Sequence, residues 1–553
     1  MINFLDFRKP QRYIGNEYNV IKKTHKNRIK VCISYPDLYE IGMSNLGLRI
    51  IYGLLNEYDD VVCERVFMPD KDLLSYLKES KIKLPSLETK TKLCDFDVIG
   101  FNFNYELNFT NFLHILALGG VALKANERKD IIVLGGGGAN PEPIAEFVDV
   151  FCLGEFEAVA ASFIDVLRKY NGKEERLKAL SEIDGFYVPS LYEVSFSGDQ
   201  YIIKKKYEKA KLPIKKVHVK DLDNSYYPLK WLTPHTQIIH DRVPIEIARG
   251  CPNSCTFCQA RALFYPYRER KIETIKRMVE LIYKNSGYEN FSFLSFSASN
   301  YSKIEQLIDE TFDYFKERRI GISFPSLRVD DIAGRLYQRI SQLKKANITL
   351  AVEAAGADLR RNIKKNIDIS RVFEAAEIVS SLNARHMKLY FMYGFPQETN
   401  DDLCAIGDFL TALQKRSRLN LNVSINVFIP KPFSSWEKYP MDTEALIAQK
   451  KMTILTNMPR RKSIKLSFSD PKKSILEGIM SRADRDFSKV IHSVFLSGGC
   501  FDGYNENFSW DVWERAMKEA DIDYSRYINK ELKSYPWSHI VCGMIKHQDT
   551  ITK

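Results

Sequence analysis

A chain of 553 residues, 45% hydrophobic and 27% charged, is long enough for three or four domains at roughly 150 residues each and reads as globular. Its longest nearly uncharged apolar stretch, Phe112 to Leu123, is broken by His114, Gly119 and Gly120 and falls short of the roughly 20 residues that cross a bilayer, so no membrane span is expected. The net charge of +11 is scattered, with only short clusters at 204–206 and 460–462, which fits a solvated surface better than a nucleic-acid groove; nucleic acid stays open as a partner but is not favoured.

The opening MINFLDFRKPQRY has charges scattered through it and no apolar core followed by a small-residue cleavage site, so a cytoplasmic protein is expected. Residues 1–170 alternate short apolar runs with helical patterns, the sign of a doubly wound parallel sheet. Strands are predicted at Ile29 to Ser34, Val61 to Val66, Asp97 to Phe103, Ile131 to Leu134 and Val148 to Leu153, and helices at Asn45 to Leu55, Asp70 to Glu79, Leu107 to Leu118 and Phe156 to Tyr170. That order predicts a Rossmann- or flavodoxin-like layer, in which ligands bind beyond the carboxyl ends of the strands. The loops 35–44, 102–106, 135–140 and 154–157 are therefore the ones to watch.

Residues 171–240 form a connector with some β character. From 241 to 462 a second series follows, with strands at Pro244 to Ala248, Asn290 to Phe296, Ile320 to Phe324, Ile348 to Glu353, His386 to Met392 and Asn420 to Ile429. Helices are predicted from Ile272, Lys303 and Asp331, at Arg371 to Leu382, and from Asp401. Six strands alternating with helices predict a partial (β/α)6 barrel whose active site lies at the carboxyl strand ends. Residues 463–553 are expected to be mainly helical. The fold class is thus α/β, with three main units and a connector.

Ten cysteines in a chain of this length are too sparse for a disulfide scaffold. Seven of them, Cys32, Cys63, Cys94, Cys152, Cys404, Cys500 and Cys542, are isolated and read as small buried hydrophobes. Cys251, Cys255 and Cys258 stand apart. They lie in RGCPNSCTFCQA (249–260), directly after the first strand of the second series. A [4Fe-4S] cluster normally takes four thiolates; three leave one iron open to chelate a small molecule, as catalytic metal sites keep a free position. Structural zinc would need paired knuckles and a fourth ligand, and none is suitably spaced.

This three-cysteine loop, with Phe257 before the third cysteine, resembles the signature of the radical S-adenosylmethionine (SAM) superfamily. The resemblance implies a [4Fe-4S] cluster that cleaves SAM reductively to a 5′-deoxyadenosyl radical, with an external electron donor such as flavodoxin or ferredoxin. It further implies SAM contacts at Ser297 and Ser299, where SFSASN replaces the usual Gly-Gly-Glu-like segment, at Glu353 after the fourth strand, and at Gly394 and Glu398 in YGFPQET.

Across nearly the whole chain, the strings at 35–56, 135–147, 240–271 and 428–436 resemble an uncharacterised group of radical SAM proteins with an N-terminal cobalamin-binding-type domain. The resemblance implies a corrinoid contacted by Tyr39, Gly42, Gly135, Gly136, Gly137, Gly154 and Glu155. Known cobalamin domains place Asp-x-His-x-x-Gly after the first strand; here Asp37-Leu38-Tyr39-Glu40-Ile41-Gly42 has tyrosine for histidine, so a corrinoid would be held without histidine ligation. A layer that lost the ligand and only shapes a substrate channel is the other reading. With cobalamin, methyl transfer to an unactivated carbon is expected. Two alternatives are a tRNA-modifying methylthiotransferase, against which the scattered N-terminal cysteines count, and a non-catalytic iron-sulfur electron-transfer or assembly factor.

Overall fold

The computed structural model describes residues 2–138, 140–197, 200–323, 348–382, 385–459 and 461–543. The N-terminal sheet contains β1 (Ile29–Tyr35), β2 (Val61–Phe67), β3 (Val98–Asn102), β4 (Ile132–Gly136), β5 (Val150–Cys152) and β6 (Phe186–Tyr187). Their order is β2-β1-β3-β4-β5-β6, with the first five parallel and β6 antiparallel at the edge. The order 2-1-3-4-5 is that of the flavodoxin-like fold. Apolar residues on both faces of β1 and β2, such as Val31 and Cys32 or Val62 and Cys63, fit a sheet covered on both sides. All seven residues of β2 are buried, including two charged ones that the sequence puts side by side. Arg65 pairs with Glu17 at 2.9 Å and Glu88 at 2.6 Å, and Glu64 accepts from Ser86 and Thr89.

The connector holds the antiparallel hairpin β7 (Tyr192–Ser197) and β8 (Gln200–Lys205) and the short β9 (Ile214–Lys215). The second series opens with β10 (Val243–Glu246); β11 (Ala248–Arg249) then pairs with β12 (Arg268–Glu269) to close the loop that carries the three cysteines. Parallel pairing continues from β10 to β13 (Asn290–Leu294) and β14 (Gly321–Ser323), then among β15 (Ile348–Glu353), β16 (His386–Tyr393), β17 (Asn420–Val427) and β18 (Ile464–Phe468). The six predicted barrel strands are all present; the helix expected from Asp331 lies outside the described residues. β18 corrects the expectation of helix from Ser463 onward: IKLSF alternates over only five residues, too short a period to read without its partner. A helix at Ala357–Asn362 was likewise not foreseen.

Beyond β18, helices Pro471–Arg482, Ser488–Leu496 and Trp510–Glu519 lead to the terminal β19 (Ile540–Val541), which pairs with β9. They pack against the N-terminal sheet domain. Asp502 accepts from Thr110 at 2.7 Å, His114 donates to the Gly499 carbonyl at 3.0 Å, and Arg485 pairs with the buried Glu142 at 3.0 Å. Among the described residues no helix is long and apolar enough to cross a membrane.

Candidate functional site

The cysteine loop leaves β11 through Gly250, whose φ of +88° suits glycine and where a Cβ would stand 2.6 Å from the Phe264 carbonyl oxygen. This close return folds residues 251–258 into one bulge at the carboxyl end of β10. All three thiols are half-buried. The amides of Ala260 and Arg261 donate to the Cys258 sulfur, offsetting in part the burial that raises its pKa, and Asn253 Nδ2 donates to Cys251 Sγ at 3.4 Å. Burial likewise raises Cys255, opposed by the nearby Lys365 ammonium. Donors and a cation directed at sulfur suit thiolates. Among the described residues no group of three His, Cys, Asp or Glu side chains is placed to hold one metal ion.

The loop after the second barrel strand, where SAM contacts are expected, braces the cysteine loop. Ser297 is buried, and its hydroxyl donates to Asn300 Oδ1 at 2.6 Å; that same oxygen accepts from Asn253 Nδ2 at 3.0 Å. Ser299 lies half-buried in the same turn. Glu353 ends β15 at a register shift with φ of +69°, a backbone state uncommon for a non-glycine residue, and faces Lys365 at 3.6 Å. Burial raises its pKa. Gly394 follows β16 with φ of +86°, and its amide donates to Glu398 Oε2 at 2.7 Å. Glu398 is buried against Lys450 at 3.1 Å, and burial pushes it up to about 7. Glu398 thus braces the Gly394 turn from behind.

Between the carboxyl ends of β1, β3, β4 and β5 and the start of the barrel lies a cavity of about 580 Å³. Gly135, Gly136, Gly137, Gly154 and Glu155 line it, as do Arg249, Leu263 and Phe264, which flank the cysteine loop. A Cβ on Gly136 would have only the Cys152 carbonyl within 4 Å, at 3.6 Å, whereas one on Gly154, at φ +120°, would strike the Val217 carbonyl at 2.1 Å. Glu155 accepts from Arg249 at 3.0 Å and pairs with Arg268 at 2.7 Å; both cations help hold its pKa down. Arg249 also holds Glu157 at 2.9 Å and Glu246 at 2.8 Å. Sequence reading missed this arginine, although a charge between an apolar strand and the first cysteine was a visible signal.

Tyr39 and Gly42, the corrinoid contacts expected on the first loop, do not line this cavity. Tyr39–Gly42 is one helical turn, with Tyr39 2% exposed, edge-on to Phe67 and donating to Glu17 at 3.0 Å. A Cβ on Gly42 would stand 2.2 Å from the Phe67 ring. Asp37 accepts from Tyr504 at 2.7 Å. With tyrosine in place of histidine, the loop turns its ring into the core because an aromatic body gains more from burial than from facing solvent.

Residues 47–189 match the family model for the N-terminal domain of radical SAM proteins, and residues 245–410 match that of the radical SAM superfamily. An uncharacterised protein of Methanocaldococcus jannaschii is 27% identical over 463 residues, 83% of this chain and 90% of its own. A ribosomal protein uS12 methylthiotransferase, RimO, from a Thermoanaerobacter species is 25% identical over 256 residues, 44% of this chain and 54% of that protein. Among solved structures, the radical SAM methyltransferase TsrM from Kitasatospora setae, with cobalamin and a [4Fe-4S] cluster bound, superposes with a TM-score of 0.51 at 10% identity, covering 89% of this chain and 99% of its own. That likeness speaks for the shared fold. Carrying both domains in this order, the chain belongs to the radical SAM superfamily.

Proposed function

We propose that the protein is a cobalamin-dependent radical SAM methyltransferase. One observation carries the reading: the cavity beyond the N-terminal strands opens against the segment that flanks the cysteine loop, and the ion pairs of Arg249 with Glu155 and Glu157 and of Arg268 with Glu155 join the two. When bound, the cluster at Cys251, Cys255 and Cys258 supplies the electron that cleaves SAM to methionine and a 5′-deoxyadenosyl radical, and the corrinoid supplies the methyl group. The chain's own residues position and enclose. Gly135 to Gly137 present backbone to a flat macrocycle without side chains in the way. Asn102 Oδ1, which has no partner among the described residues and also lines the cavity, offers an acceptor to its amide arms. The Gly394 turn, held by Glu398, approaches the SAM side of the barrel. The electron comes from a separate donor protein such as flavodoxin or ferredoxin.

Similarity to RimO favours a second reading, methylthiotransfer. That chemistry calls for a second cluster in the N-terminal domain, and the thiols there are ill-placed: Cys32, Cys63 and Cys152 are buried in β1, β2 and β5, where burial raises their pKa. Anaerobic reconstitution with hydroxocobalamin followed by gel filtration tests the proposal. About one corrin should stay with each chain; no retained corrin would remove cobalamin-dependent methyl transfer.

A further inference from the structure

The second half of the barrel leaves one face of its sheet uncovered. Strands β15 to β18 turn alternate residues toward the helices Ile369–Ser381, Asn400–Ser417 and Glu444–Thr456, where Phe391 meets Phe409 edge-on at 5.8 Å. The other set of side chains is exposed or half-buried along β16, β17 and β18. The parallel register fixes which of them are neighbours. Lys388 stands opposite Asn422, and Asn422 opposite Lys465. Two residues nearer the carboxyl ends, Tyr390 stands opposite Ser424 and Ser424 opposite Ser467, with the two serine hydroxyls 3.1 Å apart. Two residues further, Met392 stands opposite Asn426 and packs on the same apolar group, Phe395 and Phe428 among it, as Phe257 of the cysteine loop. The face therefore runs from the cysteine loop to a row holding two cations.

Parallel sheets are ordinarily covered on both faces, and barrel interiors are ordinarily filled with branched apolar side chains. Here the uncovered face offers hydroxyls, amides and ammonium groups, and β16, β17 and β18 place no acid on it. Among the described residues neither Lys388 nor Lys465 has a carboxylate partner; Lys388 lies over the Tyr390 ring at 4.8 Å, and Glu353, at the end of β15, is taken by Lys365. The two lysines stand two strands apart, roughly 10 Å between backbones, and their four-carbon stems let both ammonium groups meet one anion above Asn422. A phosphate with two negative charges is the group that engages both. We propose that this face holds the substrate, a small polar molecule ending in a phosphate. The phosphate sits at Lys388 and Lys465, and the other end points toward the cysteine loop, roughly 13 Å along the strands at Met392. The inference rests on the radical SAM reading above and names the substrate class for that same site.

Phosphorus NMR of inorganic phosphate, titrated with the full chain carrying its iron-sulfur cluster, reads this subsite before the substrate is identified. Phosphate should bind with a Kd on the order of 1 mM. Changing both lysines, Lys388→Gln with Lys465→Gln, should weaken it at least about tenfold, the scale of losing charge-assisted contacts. Lys388→Arg with Lys465→Arg should restore it. Lys26→Gln with Lys206→Gln, which removes the same charge from exposed positions elsewhere, should leave binding unchanged. Iron content and corrin retention should match the parent protein in every variant, and titrations with and without SAM and hydroxocobalamin should give one affinity. Equal weakening by the two glutamine pairs, or no binding to the parent protein, overturns the subsite. Displacement of phosphate by SAM or hydroxocobalamin assigns the lysines to a cofactor and overturns it too. Each of these results leaves corrin retention and SAM cleavage in the parent protein untouched; failure of those two measurements instead brings down the proposed function, while the phosphate titration keeps its own outcome.

Discussion

Glu155 Oε2 accepts a hydrogen bond from Arg249 Nη1 at 3.0 Å, and this contact ties the end of the fifth N-terminal strand to the residue two positions before Cys251. Both side chains are buried. A buried pair of this kind is weak as a source of net stability but costly to break from one side, because the remaining charge has no solvent to turn to.

Glu155→Ala should therefore destabilise the protein by about 3 kcal/mol. Arg249 keeps Glu157 and Glu246, whereas Arg268 loses its only carboxylate among the described residues. Arg249→Ala, which takes a cation from three acids and leaves Glu157 with none among the described residues, should be harsher. Thermal unfolding of the two variants checks the order; a change under about 0.5 kcal/mol for Glu155→Ala would mean the network relaxes into water.

Gly394→Val should abolish SAM cleavage with the cluster spectrum intact. The φ of +86° is strained for a β-branched residue, and a Cβ would stand 3.0 Å from Asp442 Oδ2. Glu398→Gln should be milder, since a carboxamide oxygen can still accept from the Gly394 amide while the pair with Lys450 is lost. Product analysis for 5′-deoxyadenosine, alongside absorbance of the cluster, distinguishes these outcomes.

Much of this arrangement was legible in the residues. The five N-terminal strands and the six barrel strands follow from apolar runs separated by helical periods, because parallel strands covered on both faces leave a strong local signal. The cysteine spacing marked the loop. What stayed hidden depends on tertiary partners. Tyr39 keeps the spacing of a cofactor motif yet turns into the core, and Ser297 sits in a SAM-type position yet holds Asn300. The lone arginine in LGLRIIYGLL was visible as an oddity, but only the fold puts Arg49 on a cavity wall.

Gly136→Trp should exclude a corrinoid while sparing the iron-sulfur cluster. Gly136 lines the cavity, and an added Cβ meets ordinary contact there, so the backbone tolerates a side chain whose bulk must enter the cavity. Corrin retention after gel filtration should drop to background with iron content unchanged. Retention equal to the parent protein would move the ligand elsewhere.

Acid should loosen the C-terminal helices from the N-terminal sheet domain before other elements. Burial lowers His114 to about 4 from an ordinary 6.5, and its Nε2 donates to the Gly499 carbonyl. A folded-state pKa below the unfolded one means that the unfolded chain binds the proton first. Stability from this group is full above about pH 6.5 and is lost progressively down to about pH 4, by up to roughly 3 kcal/mol. Hydrogen exchange of residues 488–496 at pH 7 and pH 5 should show faster exchange at pH 5, flattened in His114→Gln; a pH-independent rate would contradict the assignment.

The central claim is tested most directly by quantifying 5′-deoxyadenosine and iron together, after anaerobic reconstitution and dithionite reduction, in the parent protein and in the variant with Cys251, Cys255 and Cys258 all changed to alanine. The parent protein should hold about four irons per chain and convert SAM to 5′-deoxyadenosine and methionine, and the variant should do neither. A triple-alanine variant that retained about four irons and cleaved SAM would contradict the account.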